Sequence, residues 1–594
     1  SLRACAGEYR DAVELAEYTI NNQKDYILEE LYKRKPDVLC FSCYIWNIDY
    51  VTDIAREYKK LCPSVPIWVG GPEVSYEVEA FLRENPYIDG VMIGEGEDTF
   101  RELCGYYAHK RKLSDIAGIA FRKNSTGNST SNRTSVNNAG CKAGEIVFTS
   151  PRPIKNMSEI PFCYDTLDDF SNRIIYYESS RGCPFSCSYC LSSVDKTLRF
   201  RNTEIVKREL KFFIDQKVPQ IKFVDRTFNC NHAHAMELWR FIKANDNGVT
   251  NFHFEISADL LNQEELELIS DMRPGLIQLE IGVQSTNEVT IKEIHRTMKL
   301  ERLKEVVKLI QSGNNIHEHL DLIAGLPYEG YDSFARSFDE IYELKPNQLQ
   351  LGFLKVLKGS YMFEHAAEYG IVYHDKPPYE VMSTKWLSFD DVIKIKRVED
   401  MLEVYYNSGQ FEITMKLMEC IFDSAFEFFQ ELGDFYEANG YFGMSHSRIR
   451  RCEILLEFLA LYLHGCDSDA MTSVVLSENA GDRDNTDFDE NAQIYSMIQE
   501  SLIFDLYYRE NCKSRPRWAT DIGSFKHMTH AYCKNGKLSH VEPFHYIFPD
   551  KHTRKLDELP KYHKEPVWAL FHYDMRDPLD HQALVEYIDN GKAI

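Results

Sequence analysis

Three cysteines, Cys183, Cys187 and Cys190, lie close together in the run Arg181-Gly182-Cys183-Pro184-Phe185-Ser186-Cys187-Ser188-Tyr189-Cys190. A C-x3-C-x2-C loop can supply one thiolate to each of three corners of a [4Fe-4S] cubane, because the short spacers keep the backbone against the metal. The fourth iron then has no protein ligand and can take a small chelating molecule, unlike the four-cysteine runs of electron-transfer ferredoxins. Two other chemistries compete for the same residues. Closed zinc sites use four ligands, usually from paired knuckles, and no matching second knuckle follows. A redox dithiol made of Cys187 and Cys190 leaves Cys183 unexplained.

The loop, with aromatic Tyr189 before its last cysteine, resembles the signature loop of the radical S-adenosylmethionine (SAM) enzymes. The resemblance implies SAM bound to the open iron through its amino and carboxylate groups. One electron from the reduced cluster then cleaves it to methionine and a 5'-deoxyadenosyl radical, which abstracts hydrogen from substrate.

A strand must deliver such a loop at its carboxyl end, and Ile174-Ile175-Tyr176-Tyr177-Glu178 is placed to do so. Strand candidates recur at 220–224, 251–256, 276–283, 315–323 and 348–353 with helical stretches between them, which predicts a partial (β/α)6 barrel. Polar residues cluster at the strand ends: Asp225, Thr227 and Asn229; Glu255; Glu280, Gly282, Gln284 and Ser285; and Asp321 before Leu322-Ile323-Ala324-Gly325-Leu326-Pro327.

The segments reading GVQS and DLIAGLP are similar to those of the branch that includes the oxygen-independent coproporphyrinogen oxidase. That resemblance implies a SAM set of Tyr189, Asp225, Glu255, Gln284, Arg296, Asp321 and Gly325. Glu255 and Arg296 would hold the methionine end, Gln284 and Asp321 the ribose, and the Ile323–Gly325 backbone the adenine. Carboxylates suit ammonium and hydroxyl donors, and a guanidinium takes a carboxylate through two bonds. Cys230 follows Asn229 at the same strand end. His232 and His234 read as a helix start, and His317 and His319 share a strand face without further ligands for a metal.

Upstream, short apolar runs alternate with helical periodicity from Glu14 to Leu113. A strand closes over 18–21, a helix spans 25–35, a strand 38–42, a helix 50–61, and further strands start at Ile67 and Gly90. The alternation predicts a doubly wound parallel sheet. Ligands bind beyond the carboxyl ends of such strands, here marked by Ser42, Gly70, Gly71, Gly94, Glu95 and Gly96.

Gly70-Gly71-Pro72-Glu73 followed by Ile93-Gly94-Glu95-Gly96-Glu97, upstream of the cysteine loop, resembles the cobalamin-binding domain of B12-dependent radical SAM proteins. No D-x-H-x-x-G segment is present to ligate cobalt, so the resemblance implies base-off cobalamin without histidine, with Tyr44 or Trp46 facing the metal from below. By the same resemblance the domain at 1–121 is expected to lack the family's first strand–helix unit.

These readings divide the chain into a Rossmann-like cobalamin domain at 1–121, an insertion and linker at 122–170, a radical SAM partial barrel at 171–380, and a C-terminal domain at 381–594. Residues 122–145 are rich in Asn, Ser, Thr and Gly and read as a surface loop. The last domain is mainly helical, with helices at 389–406, 411–432 and 448–463. An acidic connection follows at 468–490, and short strands from Ser524 surround a turn at Lys534-Asn535-Gly536-Lys537. It resembles the extension carried by one subgroup of cobalamin-dependent radical SAM proteins.

The 594 residues are 44% hydrophobic and 27% charged, an ordinary globular composition. Lysine and arginine number 68 against 92 acidic residues, a formal charge of −24 that disfavours nucleic acid and anionic membranes. The absence of long apolar runs predicts no membrane span, and sixteen cysteines without a secretory leader predict a reducing, cytoplasmic setting.

The expected enzyme uses a [4Fe-4S] cluster, SAM and cobalamin, with flavodoxin or ferredoxin as external reductant, to methylate an unactivated carbon of a small molecule or peptide. Radical rearrangement, cyclisation or oxidation with the same cofactors is the alternative reaction. A non-catalytic corrinoid or cluster sensor is the alternative of another class.

Overall fold

The computed structural model describes residues 1–123, 145–164, 166–167, 170, 173–194, 196–464, 490–533, 538–549, 556, 558–589 and 592–593. They form two compact units. The first holds Ser1–Thr250, Lys292–Thr297 and Phe353–Lys385, and the second holds Asn251–Ile291, Met298–Gly352 and Trp386–Ile594. The chain returns twice to the first unit through segments with no compositional signature.

In the first unit, β1 (Leu39–Ser42), β2 (Ile67–Gly70) and β3 (Gly90–Met92) pair in parallel, and β4 (Ile119–Arg122) and β5 (Ile146–Phe148) extend the sheet antiparallel. Alternate residues of β2 enter different cores. Ile67 and Val69 pack with Val51, Ile54 and Tyr58 of helix Ile48–Leu61, whereas Trp68 packs with Phe100 and Leu103 of helix Glu97–Tyr107. Period-two burial with helices on both faces is the expected α/β arrangement. The strands expected at 38–42, 67 and 90 pair in parallel as read, and β4 and β5 add an antiparallel edge in chain order. The strand expected at 18–21 does not form, and helix Lys24–Arg34 buries Ile27 and Leu31, one turn apart.

The same unit continues with β6 (Ile175–Tyr177), the short antiparallel pair β7 (Ser180–Arg181) and β8 (Arg199–Phe200), and β9 (Gln220–Phe223), which pairs in parallel with β6. The cysteine loop therefore lies inside the β7–β8 hairpin.

In the second unit, β10 (Asn251–Ile256), β11 (Ile277–Gln284) and β12 (His317–Ala324) pair in parallel, with β13 (Gln348–Phe353) beside β12. All six strands expected for the radical SAM half are present, each within two residues of its expected bounds.

The C-terminal helices differ in detail. The first ends at Leu402 and passes into a π turn over Glu403–Asn407. The second is split into Glu412–Ile421 and Ala425–Ala438, because Ser424 caps a new N-terminus by accepting from the Glu427 amide. The third spans Arg448–His464.

Helix Glu490–Arg509 went unread in the sequence: it buries Tyr495, Ile498, Leu502, Phe504 and Leu506 on several faces, so no amphipathic stripe marks it. The terminal sheet is larger than expected, with an antiparallel strand Tyr562–Arg576 between Ser539–Tyr546 and Ala583–Asp589. The loop at 124–144, most of the acidic connection and the 534–537 turn lie outside the described residues.

Asp505, on that buried helix, accepts from the Ile413 amide (3.0 Å), the Thr414 amide (2.9 Å) and the Thr414 hydroxyl (2.7 Å) at the start of helix Glu412–Ile421. Burial pushes its carboxyl up to about 7 against these donors. The unfolded value is about 3.9, so between roughly pH 4 and 7 the folded chain holds more protons than the unfolded one and stability falls as pH rises. The urea midpoint is therefore expected to fall from pH 5 to pH 8, and Asp505→Asn should flatten that slope. Asp505→Ala should cost about 1–3 kcal/mol by stranding buried donors.

Candidate functional site

The cysteine loop is held by its backbone. The Ser188 amide donates to the Ile294 carbonyl (2.9 Å), and the Ser188 carbonyl accepts from the Met362 amide (2.9 Å). These two contacts bring the returning segments of the first unit against the loop, and with them Arg296. Its guanidinium Nη1 lies 3.9 Å from Cys187 Sγ and 3.4 Å from Tyr189 Oη. Cys183, Cys187 and Cys190 are all free of disulfides, and Thr227 Oγ1 sits 3.9 Å from Cys183 Sγ. Burial pushes the Cys230 thiol up to about 11, which leaves it protonated at neutral pH.

Asp225 has a different place from the one expected of a SAM contact. It is completely buried and accepts from the Ser179 amide (2.9 Å), the Ser179 hydroxyl (2.7 Å) and the Ser180 hydroxyl. His234 Nε2 adds 3.0 Å to the same Ser179 hydroxyl. Asp225 thus ties the end of β9 to the start of the β7–β8 hairpin. His232 and His234 do open a helix, His232–Ala244.

Around the first three strands the carboxyl ends stand in register, with Ser42 opposite Gly70 and Gly70 opposite Met92. Gly94 has φ +75°, and a Cβ there would meet nothing within 4 Å. Its backbone borders open space of the kind a large cofactor needs. Gly71 is different: a Cβ would fall 2.4 Å from the Cys43 carbonyl, so packing against β1 already requires glycine. Gly96 caps helix Glu97–Tyr107 under Leu2.

Tyr44 and Trp46 stack with centroids 4.6 Å apart and planes 4° apart, and Trp46 remains 61% exposed. Asn47, unnoticed in the sequence, shapes this turn by accepting from the Tyr44 amide and donating to the Ser42 carbonyl. Glu95 does not border that open space with its carboxylate. It pairs with Arg199 (2.6 Å) and Arg181 (3.4 Å) and accepts from the Lys155 amide (3.2 Å).

In the second unit, Gln284 Nε2 donates to Asp321 Oδ2 at 2.8 Å. Gln284 is a buried non-glycine residue at φ +74°, and its Oε1 has no hydrogen-bond partner among the described residues. A strained backbone and a waiting acceptor at a strand end are what a hydroxyl-bearing ligand would use. Glu255 stands opposite Glu280 across β10–β11, and Glu280 stands opposite His319 across β11–β12. His253 Nε2 lies 3.0 Å from Glu280.

Gly325 takes φ +87° directly after β12. Four residues on, Glu329 accepts from Ser285 (2.8 Å) and Ser337 (2.9 Å), and burial pushes its carboxyl up to about 7. That carboxylate pins the loop after Gly325 to the end of β11. The sequence offered only the Ser285 position as a hint. Among the described residues no three His, Cys, Asp or Glu side chains converge as for a single metal ion, and no helix is long and apolar enough to cross a membrane.

Residues 1–104 match the B12 binding domain family, 177–341 the Radical SAM superfamily and 367–583 a family described as Protein of unknown function (DUF4080). "Uncharacterized methyltransferase PH0819" of Pyrococcus horikoshii is 24% identical over 61% of this chain and 75% of its own length. "Cobalamin-dependent radical SAM methyltransferase TokK" of Streptomyces tokunonensis is 28% identical over 52% of this chain. The match spans 45% of TokK, under half its length. The structure of "Cobalamin-dependent S-adenosylmethionine radical enzyme OxsB" with aqua-cobalamin and SAM bound has TM-score 0.52 and 16% identity, over 85% of this chain and 78% of that one, and shows a shared fold.

Proposed function

We propose, for a chain that joins a B12-binding domain to a radical SAM domain and is homologous to cobalamin-dependent radical SAM methyltransferases, that it methylates an unactivated carbon of a small-molecule or peptide substrate. The two domains imply a [4Fe-4S] cluster, SAM and cobalamin. When bound, these groups supply a substrate radical and a transferable methyl group.

The observation that carries the reading is the three-cysteine loop with Arg296 beside Cys187 and Tyr189. Cys183, Cys187 and Cys190 hold three irons, and Arg296 balances thiolate charge or takes the methionine carboxylate of SAM. Glu255 receives the SAM ammonium, Gln284 Oε1 and Asp321 the ribose hydroxyls, and the backbone at Gly325 the adenine. Ser42, Gly70, Gly71, Gly94 and Gly96 line the corrin, Gly94 with its backbone on open space, and Tyr44 and Trp46 offer it an aromatic plate. The cobalamin is base-off, without a histidine ligand. The electron comes from an external flavodoxin or ferredoxin, and the setting is the cytoplasm.

The test is anaerobic reconstitution with iron, sulfide and hydroxocobalamin, then assay of bound iron and corrinoid and of 5'-deoxyadenosine formed with dithionite. Iron and corrinoid on one chain with SAM cleavage support the reading. Iron without corrinoid leaves a simple radical SAM enzyme, and corrinoid with iron but no 5'-deoxyadenosine favours a sensor. Asp321→Ala is expected to keep iron while raising KM for SAM about ten- to a hundredfold, since a charge-assisted hydrogen bond contributes roughly 1.5–3 kcal/mol. An unchanged KM would remove Asp321 from the site.

A further inference from the structure

Two arginines frame the cysteine loop. Arg181 lies on β7 just before Gly182-Cys183, and Arg199 lies on β8 directly opposite it in the antiparallel register. Like charges facing each other across a strand pair repel, and here both guanidinia are largely withdrawn from water, with side chains 21% and 13% exposed. A carboxylate set resolves the conflict. Arg181 Nε and Nη2 reach Glu178 at 2.9 Å each, and Arg181 Nη2 reaches the buried Glu97 at 2.7 Å. Glu95 contacts both arginines, Arg199 at 2.6 Å and Arg181 at 3.4 Å. Arg199 Nη1 also donates to the Lys155 carbonyl at 3.0 Å, while the Lys155 amide donates to Glu95.

Burial opposes the charge on Glu95, yet Arg199, the Lys155 amide and Arg181 together hold its carboxyl below the usual range. Glu95 stands between Gly94, whose backbone borders open space, and Gly96, which starts helix Glu97–Tyr107. One side chain thus joins the loop assigned to cobalamin to both ends of the hairpin that carries all three cysteines.

We propose that Glu95 is a positioning residue that couples corrin binding at the Gly94–Gly96 loop to the geometry of the cluster loop, through Arg181 and Arg199. The inference rests on the cofactor assignment above. A corrin that shifts the Gly94 backbone moves the Glu95 carboxylate, and two guanidinia at the mouth of the cysteine loop follow it. Glu95→Gln keeps size and one acceptor but leaves the arginine pair short of one negative charge. Arg199→Lys keeps the charge and loses the planar fork.

The experiment compares wild type, Glu95→Gln, Arg199→Lys and the control Glu102→Gln, whose ion pairs are with Arg111 and Arg152. Each protein is reconstituted anaerobically with iron and sulfide. Bound iron, hydroxocobalamin affinity by absorbance, and the electron paramagnetic resonance spectrum of the reduced cluster are then measured with and without hydroxocobalamin. In wild type and Glu102→Gln the spectrum is expected to change when corrinoid is added. In Glu95→Gln and Arg199→Lys iron and corrinoid still load, and the change is lost.

A wild-type spectrum indifferent to corrinoid with both cofactors loaded overturns the coupling and leaves the function standing. A change retained in both Glu95→Gln and Arg199→Lys overturns it as well. Failure of wild type to take up iron or corrinoid overturns the cofactor assignment itself, a result told apart by the loading assays.

Discussion

Cys183→Ala, Cys187→Ala and Cys190→Ala are each expected to cut 5'-deoxyadenosine formation to the level seen with dithionite and no protein, while hydroxocobalamin still binds. On the proposed assignment each cysteine would serve a different iron, so one substitution would leave two of the four irons without a protein ligand. Among the described residues, the side chain recorded beside Cys183 Sγ is the Thr227 hydroxyl, a poor iron ligand. Corrinoid binding should survive because the β1–β5 sheet has its own core. Val51, Ile54, Ile67, Val69 and Val91 pack there together with no residue of the cysteine loop among them. Loss of corrinoid in all three variants would show that the two cofactor sites are not separable as described.

Gly94→Val should produce the opposite pattern. At φ +75° a β-branched side chain is strained by about 1–3 kcal/mol, and its bulk enters the open space beside the backbone. Corrinoid affinity is expected to drop at least about tenfold, equivalent to about 1.4 kcal/mol, with iron content and dithionite-driven SAM cleavage retained. Gly94→Ala separates the two causes: it carries most of the backbone strain with little bulk. If Gly94→Ala and Gly94→Val both bind corrinoid as wild type does, the corrin does not lie against this loop. Paired with the cysteine variants, the result is a double dissociation measured by iron, corrinoid and 5'-deoxyadenosine on the same samples.

The cysteine spacing, the six strands from Ile175 to Phe353 and the glycines at the ends of β2 and β3 were legible from sequence. The reason is locality. Three thiols within eight residues share a loop whatever the rest of the chain does, and a strand's burial repeats every two residues. Helix Ile48–Leu61 announced itself in the same way through Ile48, Val51, Ile54 and Tyr58. Helix Glu490–Arg509 did not, because burial on many sides removes the polar face that gives a periodic signal.

What only the tertiary structure decided was the partner of each charge. Glu95 carries the same letter whether it faces corrin or an arginine, and its ion pair with Arg199 spans 104 positions. Asp225 accepts from two serines 45 and 46 residues away, since a carboxylate in a dry site needs whatever donors packing brings to it. Arg296 reaches Cys187 across 109 residues, beside the backbone hydrogen bond between Ser188 and Ile294. Local spacing fixes which groups a segment offers; long-range packing, by excluding water, decides which of them are spent on the protein and which remain for a ligand.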